Sequence, residues 1–194
     1  MAGLTTPGPG LSALAAGLLA HRARDDKEVA DLARIVAFVA HHSDPFDRRI
    51  VEGHLTGSAL VVAAQGDRVL LLHHRKLARW LQPGGHADPG EQEGADVALR
   101  EAREETGLHD LRLHPTAPRP LDVDVHLIPA RGSEPAHEHL DLRYLVLAPA
   151  DAPLRRAEAE AQALRWFTWA ELPSLDLDAG LRRAFDTARG LLGP

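Results

Sequence analysis

The chain has 194 residues, enough for one core of 100–150 residues plus an extension, and its 44% hydrophobic and 26% charged content is that of a globular protein. A net charge of −6 leaves no electrostatic footprint for duplex nucleic acid, and the absence of cysteine excludes disulfides, thiolate zinc sites and cysteine nucleophiles. The longest apolar run, Ala13 to Ala20, is far short of the ~20 residues a bilayer needs, and the basic cluster His21-Arg22-Ala23-Arg24 follows it rather than precedes it. No membrane span or secretory leader is therefore expected, and a reducing cytoplasm suits the composition.

Residues 1–10, rich in Gly, Pro and Thr, read as a loose terminus. Leu11, Leu14, Leu18 and Leu19 share one helical face. Asp25 and Glu28 have the spacing of a capping box, and Val29, Leu32, Ile35, Val36 and Val39 form the apolar stripe of a second helix ended by Ser43-Asp44-Pro45. Residues 1–48 are thus expected to form a helical extension, either a cover for the main domain or a homodimer contact. The main domain is expected over 49–194.

Beyond Pro45 the texture changes. Ser58–Ala64 and Arg68–His73 read as strands joined by a Gln65-Gly66-Asp67 turn. Leu81-Gln82-Pro83-Gly84-Gly85-His86 is a strand breaking into a Gly-rich loop, and residues 94–106 have helical composition up to the C-terminal cap Gly107. Leu121, Val123, Val125 and Leu127 alternate with Asp122, Asp124 and His126 as in a half-buried strand. Strands at 140–147 and 164–169 flank a charged loop, 148–163, and a helix over 178–192 turns Leu181, Phe185, Ala188 and Leu192 inward. The pattern is α+β with a mixed sheet and helices against it.

The chemistry is densest between Gly85 and Leu108. With a rotation of ~100° per residue, Glu101, Glu104 and Glu105 fall on one helical stripe about 100° wide. Their like charges repel, which Arg100 and Arg103 relieve only in part. Such a stripe beside a Gly-rich loop serves either as a solvated acidic face or as a seat for a hard divalent cation, which takes oxygen ligands and bridges carboxylates to substrate phosphates.

The residues themselves resemble the Nudix box: Gly85, five residues, Glu91, then Arg100-Glu101-Ala102-Arg103-Glu104-Glu105-Thr106-Gly107-Leu108. One departure is the second gap, eight residues (92–99) rather than seven, with the extra residue in Gln92-Glu93-Gly94 before the helix. The resemblance implies a Nudix-type α/β/α sandwich that hydrolyses a nucleoside diphosphate linked to a group X, with Mg²⁺ or Mn²⁺ as cofactor. By position, Glu104, Glu105 and the Gly84 carbonyl would bind metal, and Glu101 would be a ligand or the base that orients water. Arg100 would hold the helix carboxylates, braced by Glu91, with Gly85 and Gly107 shaping the motif. Glu160, in the loop before the last strand, is the expected extra ligand or base, with Glu158 beside it.

Arg75, Lys76 and Arg79 are candidate partners for substrate phosphates. His137 and His139, at i,i+2 on a strand, point to one side as a metal pair without an evident third ligand; substrate contact or a surface position are the alternatives. Trp80, Trp166 and Trp169 are taken as core residues. Two rival readings of the family likeness are a catalytically silent nucleotide-binding domain, which the three retained glutamates disfavour, and an isomerase of prenyl diphosphates, which the lack of cysteine disfavours.

Overall fold

The computed structural model describes residues 9–193, with side chains described from residue 13. The expected loose terminus falls mostly outside the described residues, but Pro9 and Gly10 already belong to the first helix. The elements run α1 (Pro9–Leu19), α2 (Asp26–His41), β1 (Gly53–Ala63), β2 (Arg68–His74), β3 (Arg79–Leu81), β4 (Gly84–His86), α3 (Gly94–Thr106), β5 (Arg112–Leu113), β6 (Asp122–Ile128), β7 (His137–Ala148), β8 (Ala161–Thr168) and α4 (Ala179–Leu192).

The strands form one mixed sheet. Its spine is β3-β2-β1-β7-β5, with β4 also on β1, β6 on β7 and β8 on β2. The pairing of β1 with β7 is parallel, from Gly53↔Glu138 to Ala63↔Ala148; the other pairings are antiparallel. Both faces are covered. Leu55, Ala59 and Val61 join one hydrophobic cluster with α1, α2 and α3, while Leu60 and Val62 join a second with β8 and α4. That alternation is the period-2 signature of a strand sandwiched between layers, and it explains why every residue of β1 is buried. The architecture is an α/β/α sandwich.

The N-terminal hairpin shares the main core: Leu14, Leu18, Ile35, Phe38 and Val39 pack in the cluster that contains Leu140, Leu142 and Val146. Its stripe departs from expectation, because Val29 is 56% exposed and the inward face carries Glu28 and Asp31. The capping box is half realised. Asp25 accepts the Glu28 amide at 2.7 Å, but the Glu28 carboxylate turns to the Arg24 amide (2.6 Å), His21 Nε2 (2.8 Å) and the Val123 amide (3.3 Å). Glu28 thereby docks α2 onto β6.

Strand β6 is also not half-buried as its alternation implies. Asp122 and Asp124 are buried, whereas Leu127 is 67% exposed. Because helices cover this face too, the polar side of the strand meets protein. Buried Arg143 bonds Asp122 (3.0 Å), Asp141 (3.1 Å) and Asp124 (3.3 Å), and Arg183 of α4 adds a 2.7 Å bond to Asp122. Lys27 of α2 completes the network at 2.8 Å from Asp124.

Candidate active site

Helix α3 lies across β1, and glycine permits the approach: a Cβ on Gly57 would sit 2.5 Å from the Gly94 carbonyl oxygen. The helix ends at Gly107, whose φ of 70° is left-handed and whose amide bonds the Arg103 carbonyl at 2.8 Å. Along one edge of β1, β4 pairs Gly85 with Gly57 and Gly84 with Ser58, which sets the Gly-rich loop against the acidic stripe of α3.

The predicted residues converge. Arg100 donates to Glu91 through Nε (3.0 Å) and Nη2 (2.9 Å), to Glu101 (3.1 Å), to Glu104 (3.3 Å) and to the His86 carbonyl (2.6 Å). It thus ties the loop to the helix, with Glu91 accepting from two of its nitrogens. The helix starts at Gly94, within the Gln92-Glu93-Gly94 stretch.

The three helix carboxylates occupy different environments. Glu104 is 58% exposed at its side chain, whereas Glu105 is 5% exposed and accepts the Gly84 amide at 2.9 Å. Burial pushes the Glu105 carboxyl well up against the pull of that amide, and the nearby Glu160 carboxyl adds to the rise. Burial also raises Glu101, opposed by Arg100 and reinforced by Glu104 and Glu160. The structure thus brings Glu160 from its loop to the α3 carboxylates. The Arg75 amide donates to the Glu160 carbonyl (2.7 Å), and the Arg75 guanidinium donates to the Glu158 carbonyl (2.8 Å).

Of the expected phosphate partners, Arg75 is therefore engaged in holding that loop. Arg79 leans towards Asp176 at 3.6 Å, and Lys76 is exposed on the β2–β3 turn. Trp80 packs edge-on against Phe167, and Trp169 donates to the Gly66 carbonyl at 2.7 Å, both with the α4-side core; Trp166 packs with the other core.

Carboxylate oxygens suit a hard divalent cation, and a deeply buried carboxylate such as Glu105 is costly when bare. In donor type the carboxylates of Glu101, Glu104, Glu105 and Glu160 match the oxygen preference of Mg²⁺ or Mn²⁺, and the charges of Glu104 and Glu160 raise Glu101 while that of Glu160 raises Glu105.

This arrangement defines a sandwich protein built around a carboxylate-bearing loop–helix–loop. The NUDIX domain profile matches residues 54–188, and the chain belongs to that family. Solved structures agree in fold. A Caenorhabditis elegans Ap4A hydrolase in a binary complex is similar at TM-score 0.57 and 19% identity, covering 71% of this chain and 96% of its own. A MutT NUDIX hydrolase from Burkholderia pseudomallei is similar at TM-score 0.51 and 26% identity, covering 71% and 99%. The NUDIX domain of Shewanella oneidensis NrtR, complexed with ADP ribose, is similar at TM-score 0.51 and 18% identity, covering 81% and 97%. No curated protein matches the chain. Among the described residues, no helix is long and apolar enough to cross a membrane.

Sequence reasoning missed His54. It lies beside the pair His137 and His139 and supplies the third imidazole that the pair lacked, so that the three present ring nitrogens within 4.8 Å of one another. No local signal pointed to it, because it stands 85 residues from its strand partner His139.

Proposed function

We propose that the protein is a divalent-metal-dependent hydrolase of nucleoside diphosphate derivatives, cleaving the diphosphate linkage. The observation that carries this reading is the convergence of Glu101, Glu104, Glu105 and Glu160 beside Gly84, with Arg100 clamping loop to helix. When bound, Mg²⁺ supplies neutralisation of the charge that develops on the phosphate oxygens.

Glu104 and Glu105 would hold the cation, with the Gly84 carbonyl. Glu101 is the base: its oxygen accepts a proton from water as the water oxygen bonds one phosphorus. The bridging P–O bond breaks, and its electron pair leaves with the departing phosphate. The products are a nucleoside monophosphate and phosphorylated X. Glu160 orients water or supports the cation, held there by Arg75. Lys76 and Arg79 receive the substrate phosphates, where their donors match phosphate oxygens. The cysteine-free, acidic composition accords with a cytoplasmic small-molecule enzyme.

The test is a screen with Mg²⁺ against nucleoside diphosphate sugars, dinucleoside polyphosphates, coenzyme A and nucleoside triphosphates. Glu104→Gln and Glu105→Gln are each expected to lower turnover by orders of magnitude in a folded protein. Near-normal Mg²⁺-dependent hydrolysis by the double variant would overturn the site. Binding of these ligands without turnover under any metal would favour the silent binding domain.

A further inference from the structure

We infer that His54, His137 and His139, with His86 as a fourth donor, form a binding site for a divalent transition metal of the zinc class, separate in chemistry from the carboxylate site of α3. The argument rests on strand register. His54 of β1 and His139 of β7 are partners in the parallel pairing, and His137 lies two residues away on β7, so all three project from one face. Thr56 pairs with His86, which carries the β4 imidazole onto the same face. The ring centroids are 5.1 Å apart for His54–His137 and His54–His139, 5.3 Å for His137–His139, 4.9 Å for His54–His86 and 4.7 Å for His86–His139. His86 Nε2 and His139 Nε2 share a 3.0 Å hydrogen bond, one ring donating and the other accepting, which an ion on both would replace.

Two observations make this more than a crowd of rings. His54 is 2% exposed, and neither of its ring nitrogens has a hydrogen-bond partner. A buried imidazole left with a bare lone pair and a bare N–H is the kind of polar orphan a folded protein avoids unless something else fills the place. His137 is also buried, and its Nδ1 lies 3.0 Å from the Pro135 carbonyl. That carbonyl only accepts, so Nδ1 is the donor and Nε2 is the nitrogen turned to the cluster, the arrangement by which a carbonyl orients a metal-ligating histidine.

The donor chemistry selects the ion. Imidazole nitrogen favours zinc, copper and nickel over magnesium, which prefers oxygen. A tetrahedral zinc with bonds of about 2.0–2.1 Å needs nitrogens about 3.3–3.4 Å apart, so the nitrogens of His54, His137 and His139, now within 4.8 Å, and the 3.0 Å His86–His139 pair must each adjust modestly. His126, whose ring stacks edge-on to His139 at 5.5 Å, is held by Asp124 at 3.1 Å and is not counted among the ligands. Glu138 is likewise committed, to Arg34 at 2.7 Å. An ion here would link β1, β4 and β7, and through the His86 carbonyl it would stiffen the strand that anchors Arg100.

The experiment uses untagged full-length protein, stripped with chelator, reloaded with Zn²⁺ alone and desalted. One equivalent of zinc per chain is expected, retained by Glu104→Gln/Glu105→Gln and reduced at least tenfold in His54→Gln and His139→Gln. Zinc X-ray absorption of the wild type gives a second reading that does not depend on the variants folding, with imidazole scattering expected. Failure of the wild type to retain zinc, loss of zinc in the glutamate variant with retention in the histidine variants, or an oxygen-only absorption spectrum would each overturn the site. None of these results bears on hydrolysis, so the two assignments stand or fall separately.

Discussion

Gly85 and Glu101 meet so closely that a methyl group on the first would lie 2.6 Å from the carboxyl carbon of the second. The glycine is therefore what allows the Glu101 carboxylate to rest against β4. Gly85→Ala is expected to displace that carboxylate, and because misplacing a catalytic group by about 1 Å costs on the order of 100-fold, turnover should fall by about that much. Steady-state assays with Mg²⁺ beside a thermal melt check it. Unchanged turnover would remove Glu101 from the reaction.

The roles given to Glu101 and Glu160 separate in a paired comparison. Glu101→Gln is expected to reduce turnover far more than Glu160→Gln, with the label from heavy-oxygen water ending on the same phosphorus in both. Equal, near-complete losses would mean that the two carboxylates act as one unit. A large loss at Glu160 alone would reverse the roles.

Arg143 is enclosed by Asp122, Asp124 and Asp141, and Arg183 reaches the same Asp122. Arg143→Met would leave buried carboxylates without their central partner. A loss of about 3–5 kcal/mol is expected, as for one partner removed from a buried ion pair. Urea denaturation measures it, and a loss below about 1 kcal/mol would show that Arg183 and Lys27 suffice.

Glu28 couples the N-terminal helices to pH. Burial works to raise its carboxyl, but hydrogen bonds from His21 and the Arg24 amide prevail and hold it below the ordinary value of 4.5. A carboxylate lowered on folding contributes stability that is present above the unfolded value and lost as pH falls through the folded one. Stability should therefore drop below about pH 4.5 in the wild type, with a smaller pH-dependent drop in Glu28→Gln. Urea midpoints at pH 7 and pH 4 test this. Deleting residues 1–44 should cost stability or solubility before it alters substrate choice, since Leu18, Ile35 and Phe38 leave a shared core.

The box helix was legible because its signals are local: α3 spans 94–106 as read, since the carboxylate spacing and the terminal glycine lie within one stretch of chain. Its relation to Gly84 and Glu91 was legible for the same reason. The burial of Asp122 and Asp124 was not. Alternation separates two faces of a strand, but whether the polar face meets water depends on helices that arrive from elsewhere, here α2 and α4. The i,i+2 spacing of His137 and His139 announced a common direction, whereas His54 and His86 join them only through register across β1, β4 and β7. Register between distant strands leaves no mark that a single chain displays.

The parallel pairing of β1 with β7 also sets an order of events in folding. Its partners, such as His54 and His139, are separated by 85 residues, and such distant closure is slow because the loop entropy is spent before the contacts form. The acidic helix α3 lies inside that loop and rests mainly on β1 and β4, which precede it, while its remaining contacts, to β7, form only when β7 has paired with β1. Mutations that weaken the β1–β7 seam are expected to reveal themselves first as slower maturation, not as altered chemistry in the molecules that finish folding.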